Sequence, residues 1–254
     1  MTNIIGISGH IGSGKDEVGK IIQYLTSNKK DISYSGSYNS YIMDIGIGIN
    51  ITSKWKIKKF GGKLKQVASI LTGIPIKRFE DQEFKKTCLG EEWNYDKILP
   101  RDDMLQMNKC WETVPMTVRE FLQKLGTEGL REGLHQNVWV NALFADYNND
   151  YYDWKNGGKQ DSYPNWIITD VRFPNEAKAV KERRGILIRV NRYIPLEMYH
   201  TGENGEMVSN PENSIMKHPS ETSLDDWEFD YVIDNNGTIE ELIIKVKDLL
   251  EKLP

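Results

Sequence analysis

The chain has 254 residues, of which 39% are hydrophobic and 28% charged, and its formal net charge is −4. This suits one large α/β domain with embellishments and excludes a strongly basic nucleic-acid or membrane binder. Two cysteines, Cys88 and Cys110, cannot build a disulfide framework. With no leader-like start and no run as long as a membrane span, the expectation is a protein of a reducing cytoplasm.

Asn3–Ser8 is a short isoleucine-rich run that reads as a buried strand. Val18, Ile21, Ile22 and Leu25 then recur at helical spacing, predicting a helix over Lys15–Thr26. Residues 28–54 are rich in Ser, Tyr, Asn and Gly without a steady period and read as an irregular insertion. Trp55–Phe60 is a second strand, and Leu64, Val67, Ala68 and Leu71 make a helical stripe. Glu80–Pro115 is charged, aromatic and aperiodic. A capping box of Thr117 and Glu120, with Met116 stapling onto Phe121, opens a helix that should reach about Gly133. Val138–Tyr147 reads as helix and Asn148–Pro164 as loop. Trp166–Thr169 is a buried strand, Asn175–Arg184 a helix and Gly185–Val190 a strand. Tyr193–Asp226 is a long aperiodic segment, of a kind that is usually functional or mobile. Phe229–Ile233 is the last strand. Thr238 and Glu241 form a second capping box before the amphipathic helix of Ile239, Leu242, Ile243, Val246, Leu249 and Leu250. Strands alternating with helices predict an α/β fold with a mostly parallel sheet covered on both faces, whose ligands sit beyond the carboxyl ends of the strands. Ser8, Asp170, Arg192 and Asp234 all fall at such ends.

Gly9-His10-Ile11-Gly12-Ser13-Gly14-Lys15 fits the G-x-x-x-x-G-K spacing of a P-loop, between a strand and a helix as the mechanism requires. Its glycines let successive amides point at phosphate oxygens, the helix adds its positive end, and Lys15 brings a charge to the β- and γ-phosphates. The bland alternative is a Gly-rich turn without a ligand. Asp16 stands where a Ser or Thr hydroxyl usually meets Mg²⁺. It either holds the ion itself or is an acid favoured in a helix's first turn.

Arg119, Gln123 and Thr127 are four apart and share a helix face, with Arg131 one further step around. A guanidinium, an amide and a hydroxyl suit a phosphate plus a nucleobase edge; a solvated polar face is the alternative. Asp170 follows a buried strand, where a carboxylate near Mg²⁺ or an acceptor belongs. Arg172 can clamp a phosphate, or the segment is a helix-start turn with Pro174 at N1 and a structural ion pair. Arg192, opening the long segment, is placed to meet transition-state charge. Arg183 and Arg184 read as a solvated helix end, and His10 and His135 as isolated structural residues. His218-Pro-Ser-Glu221 shows no independent chemistry beyond polar contacts.

Seven segments, in this order, resemble the bacteriophage deoxynucleoside monophosphate kinases, relatives of the adenylate-kinase type of P-loop enzyme. They are SGHIGSGKD (Ser8–Asp16), FGGKLK (Phe60–Lys65), TVREFLQKLGTEGLR (Thr117–Arg131), VWVNAL (Val138–Leu143), TDVRFPNEA (Thr169–Ala177), HPSET (His218–Thr222) and DNNGTIEEL (Asp234–Leu242). The resemblance implies a three-layer P-loop fold over residues 1–254, with 61–150 as a helical acceptor-binding region, 193–226 as a lid-like segment and 28–54 as an insertion without counterpart. It implies ATP with Mg²⁺ as donor, a deoxynucleoside monophosphate (dNMP) as acceptor, and no nucleic-acid polymer or membrane as partner. A homodimer is compatible with it, as is the host cytoplasm if the chain is phage-encoded. It implies Lys15 on the donor phosphates and Arg172 and Arg192 on phosphates, and leaves Asp16 and Asp170 as the candidates for the metal. Asn235, Asn236 and Gly237 would lie near the donor adenine, and Lys65, Arg119, Gln123, Thr127 and Arg131 would line the acceptor pocket. The Asp after the P-loop lysine occurs in that family. FGGKLK departs from it, because the family more often has Ala-Asp in place of the two glycines.

Overall fold

The computed structural model describes residues 2–31, 36–99, 110–153, 158–159, 163–193 and 219–253. Two compact units emerge, one made of Met1–Phe60 with Val140–Pro254, the other of Gly61–Trp139.

In the first unit, β1 (Ile4–Ser8), β2 (Trp55–Lys58), β7 (Asn165–Ile168), β8 (Ile186–Asn191) and β9 (Tyr231–Asp234) form a parallel sheet in the order β2-β7-β1-β8-β9. Strand β1 is central: Ile5 lies opposite Ile167 on one side and Ile186 on the other. Both faces are covered, which is why β1 is buried throughout and reads as an unbroken apolar run. One face carries α1 (Lys15–Thr26), α2 (Tyr38–Gly46) and α8 (Ile239–Glu251), whose Ile21, Ile22, Tyr41, Leu242 and Val246 share a core with Ile5, Ile7 and Ile188. Beside the other side chains of the sheet lie α5 (Val138–Tyr151) and α6 (Pro174–Glu182). Phe144 of α5 stacks on Trp166, and a Cβ on Gly6 would lie 2.7 Å from Leu187 and 3.4 Å from Val180 of α6. Gly6 is thus the one β1 position where α6 and β8 leave no room for a side chain. The expected α/β sheet with helices on both faces is present.

The second unit holds most of α3 (Phe60–Thr72), three short 3-10 turns within Ile76–Trp93, and an antiparallel hairpin of β3 (Tyr95–Leu99) and β4 (Cys110–Val114). It also holds α4 (Val118–Gln123), which continues as a π-helix over Lys124–Glu132. Its small core joins Ala68, Phe79, Val118 and Phe121, with Met116 packed against it. The Thr117 capping box forms in both directions: Thr117 Oγ1 accepts from the Glu120 amide at 3.2 Å, and Glu120 accepts from the Thr117 amide at 3.0 Å. At Thr238 the hydroxyl accepts from the Glu241 amide at 3.3 Å, but the Glu241 carboxylate lies over Gly237 instead of returning to the cap.

Several expectations need correction. Residues 28–54 are not merely irregular: α2 is capped by Ser37, which accepts from the Ser40 amide, and buries Tyr38, Tyr41 and Asp44. These positions are three apart, so the period is helical but carried by tyrosines instead of aliphatic residues. Strand β2 stops at Lys58, because the Asp170 carboxylate accepts from the Phe60 amide at 2.8 Å and starts α3 there. Helix α5 runs past Tyr147 to Tyr151, and a short pairing of β5 (Tyr152–Asp153) with β6 (Gly158–Lys159) follows. Helix α6 ends at Glu182, and Arg184 adopts a left-handed φ of 57°. Arg183 is not simply solvated: its guanidinium lies 3.8 Å from the centre of the Phe144 ring. Of the long segment after Tyr193, residues 194–218, including His218, lie outside the described residues; Pro219–Thr222 forms a short helix, α7. Among the described residues no helix is long and apolar enough to cross a membrane.

Because Tyr41 is 3% exposed within the main core, Tyr41→Ala should lower the free energy of unfolding by about 3 kcal/mol, as read from urea denaturation. A change below about 0.5 kcal/mol, typical of surface sites, would show that α2 is not part of the core.

Candidate active site

Strand β1 ends at Ser8 and delivers the chain into the loop Gly9–Lys15. A Cβ on Gly9 would sit 2.3 Å from the Val190 carbonyl, so the loop can lie against β8 only with glycine there. Gly14 adopts a left-handed φ of 94° as the N-cap of α1, and no side chain caps that helix. The first-turn amides, which no helix can satisfy internally, thus lie next to the loop at the positive end of the helix dipole. The Asn235 amide, just past β9, donates to the Ser13 carbonyl at 2.9 Å and braces the loop from the strand end beyond β8.

Lys15 turns back into its own loop and donates to the Gly9 and His10 carbonyls, each at 2.7 Å. Burial, and next the charge of Arg172, push its pKa down to about 8, against the opposing pull of Glu221 and Asp16. Asp16 lies in the first turn of α1. Its carboxylate accepts from the Thr169 hydroxyl at 2.5 Å and from Lys59 at 2.9 Å. Burial acts to raise its pKa, but the bonds from Thr169 and Lys59 outweigh that and hold it below the ordinary value. Asp16 is therefore ionised at neutral pH.

Arg172 follows β7 and pairs with Glu221 of α7. Its backbone amide donates to Glu176 at 2.8 Å, as does that of Phe173 at 3.2 Å. Pro174 takes the first turn of α6, so this segment is a helix-start turn and also a charged one. The second oxygen of Glu221 accepts from the Ile11 amide of the P-loop at 2.7 Å. Arg189 of β8 donates to Asp225 at 2.6 Å and lies 2.9 Å from His10 Nε2. His10 is thus not isolated: it lies 3.3 Å from Asp225 and joins the same charged cluster. Arg192 is exposed just beyond β8, and the Asn236 side chain accepts from the Tyr193 amide at 2.6 Å.

The first unit thus gathers the P-loop, Asp170, Arg172 and Asn235 at the carboxyl ends of its strands. Lys65, Arg119, Gln123, Thr127 and Arg131 all belong to the second unit. Lys65 pairs with Glu80 at 2.6 Å. Arg119, Gln123 and Thr127 are exposed, opposite the buried Val118 and Phe121. The π-helix decides where Arg131 lies. In an α-helix, four residues overshoot a turn by about 40°, which would leave Arg131 about 120° from Arg119. The wider π-turn advances roughly 80° per residue, so beyond Gln123 each step of four falls short by about 40° instead. The two drifts offset, and Arg131 returns to within roughly 40° of Arg119. The Gly133 amide bonding the Glu128 carbonyl at 3.1 Å shows the five-residue period, and Trp139 Nε1 pins the Gly126 carbonyl at 2.9 Å.

Residue patterns gave no role to Glu176, Glu221, Arg189, Asp225, Lys59 or Thr169. Glu221 and Asp225 act through contacts tens to hundreds of residues away, which spacing does not reveal, whereas Glu176 accepts from the Arg172 and Phe173 amides only four and three residues back. A strand-interior arginine, Arg189, was a local signal, since charge in a buried strand demands partners.

The Lys15 amine is charged below about pH 8 and loses its proton above it. Affinity for inorganic tripolyphosphate, which probes the loop alone, should therefore fall several-fold between pH 7 and pH 9 in calorimetric titration. Lys15→Gln should bind weakly with a flat profile. A wild-type affinity that rises with pH would contradict this account of the amine.

Known proteins supply an independent comparison. The model of the deoxynucleotide monophosphate kinase family matches residues 90–246, a stretch that leaves out the P-loop, so the loop's geometry and the family match are separate observations. A deoxynucleoside-5′-monophosphate kinase of Escherichia phage T5 is 26% identical over 195 residues, covering 72% of this chain and 73% of that protein. A putative deoxynucleotide monophosphate kinase of Acanthamoeba polyphaga mimivirus is 29% identical over 138 residues, 51% of this chain and 59% of its own length. A deoxynucleotide monophosphate kinase of Enterobacteria phage T4 is 30% identical over 137 residues, 54% of this chain and 46% of its own. With more than half of its residues matched by the family model, the chain belongs to the deoxynucleotide monophosphate kinase family.

Proposed function

We propose that the chain transfers the γ-phosphoryl group of ATP to a deoxynucleoside 5′-monophosphate, giving ADP and the deoxynucleoside diphosphate. The P-loop carries this reading: a glycine-lined loop at a helix N-terminus, with a half-buried lysine turned into it, suits a polyphosphate. Family membership supports the acceptor class.

The acceptor phosphate oxygen is itself the nucleophile and is largely ionised at neutral pH, so no strong general base is needed. Catalysis then rests on positioning and on neutralising charge. Lys15 re-aims its amine from the Gly9 and His10 carbonyls to the β- and γ-phosphates. Arg172 and Arg192 take up charge on the transferring group, and Asn235, Asn236 and Gly237 border the donor base. Lys65, Arg119, Gln123, Thr127 and Arg131 hold the acceptor, the arginines on its phosphate and Gln123 and Thr127 on the base edge. Mg²⁺ needs only one or two protein carboxylates besides phosphate and water. Asp16, ionised and beside the P-loop, and Asp170, at the adjacent strand end, fit that requirement and would hold it; binding at Asp16 requires Lys59 to move aside. When bound, the ion neutralises oxygens of the β- and γ-phosphates.

ADP release from ATP and Mg²⁺, measured with each dNMP and with dephospho-coenzyme A, tests the reading. Release should depend on a dNMP, and Lys15→Ala should reduce it at least about a hundredfold with an unchanged circular dichroism spectrum. Release with dephospho-coenzyme A alone would point to a different small-molecule kinase. No acceptor-dependent release would leave a nucleotide-binding regulator.

A further inference from the structure

Glu221 has a placement that the reaction outlined above does not use. Its side chain is 3% exposed, an unusual state for a carboxylate unless it is fully engaged. One oxygen accepts from the Ile11 amide in the middle of the P-loop, and the other pairs with the Arg172 guanidinium. Arg172 in turn is close enough to Lys15 to depress its pKa, and Glu221 close enough to oppose that shift. Three elements distant in sequence, the loop after β1, the turn after β7 and helix α7, are joined through one carboxylate.

We propose that Glu221 is a positioning residue for phosphoryl transfer, holding the Arg172 guanidinium in register with the P-loop. The inference rests on the kinase reading. Lys15 and Arg172 carry like charges in a partly buried space, so their repulsion drives the more mobile guanidinium toward solvent. Arg172 is 36% exposed, so solvent reaches that side chain. A buried carboxylate anchored to a loop amide opposes that motion. It engages one nitrogen of a guanidinium that carries five N–H donors. Asp225, four residues on in the turn that follows α7, performs a parallel task on Arg189 and His10. The segment 219–227 thus brings acidic partners to two arginines and to two adjacent P-loop residues.

Glu221→Gln tests this, because it keeps the shape and one acceptor oxygen while removing the charge. In the full-length protein with ATP, Mg²⁺ and the best dNMP, kcat should fall by tenfold or more, while the KM for each substrate changes less than threefold. The effect should vanish in an Arg172→Ala background, since Glu221 acts through Arg172. Glu221→Asp, which keeps the charge but is one methylene too short to span both partners, should retain more activity than Glu221→Gln; if Glu221→Gln does not fold, Asp against wild type carries the kcat comparison. A folded Glu221→Gln with wild-type kcat, or equal losses in the Arg172 and Arg172→Ala backgrounds, would overturn the proposal and leave the kinase reading standing. Wild-type protein without dNMP-dependent ADP release would overturn both.

Discussion

Strand β1 pairs in parallel with β7 on one side and β8 on the other, and the chemistry of the first unit depends on that arrangement. Parallel pairing sends the ends of three strands to one edge, so the P-loop after Ser8, Asp170 after β7 and Arg192 after β8 come together without being near in sequence. The pairing also explains why the neighbours of the loop are constrained. Gly9 must lack a side chain because the Val190 carbonyl of β8 is there, and Asn235 reaches the Ser13 carbonyl because β9 ends beside β8.

That edge concentrates positive charge. Lys15 and Arg172 follow the neighbouring strands β1 and β7, Arg189 lies within β8 beside them, and their mutual repulsion has to be balanced within the protein. Asp16, Glu221 and Asp225 provide the balance. Burial, first of all, lowers the Lys15 pKa to about 8, so the charged amine is held at a desolvation cost that an anion beside it would offset. With a helix N-terminus beneath, phosphate binding at this edge would offset that cost.

The parts legible in the sequence were those whose physics is local. The P-loop, the Thr117 cap and the stripe of α8 follow from spacing along one element, and each appears where the residues place it. Helix α2 was hidden because Tyr38 and Tyr41 bury aromatic rings with polar ends, which hydropathy counts poorly, although Ser37 offered a cap. The π-helix was hidden because capping and spacing predict only an ordinary helix to about Gly133; in the structure a bulky residue at Gly126 would meet Leu64 and one at Gly133 would meet the Gly129 carbonyl. The charged partners Glu221 and Asp225 were illegible for another reason: their meaning lies entirely in contacts with His10, Ile11, Arg172 and Arg189, that of Glu221 with Ile11 spanning 210 residues.

The central claim is that the γ-phosphoryl group bound at this loop passes to a nucleotide phosphate and not to water. Phosphorus-31 NMR of ATP, Mg²⁺ and a dNMP mixed with the protein tests it directly. The account predicts that the γ-signal of ATP is replaced by a new β-phosphate signal of a deoxynucleoside diphosphate, in equal amount with ADP. Conversion of the γ-signal to inorganic phosphate, at the same rate with and without dNMP, would contradict it.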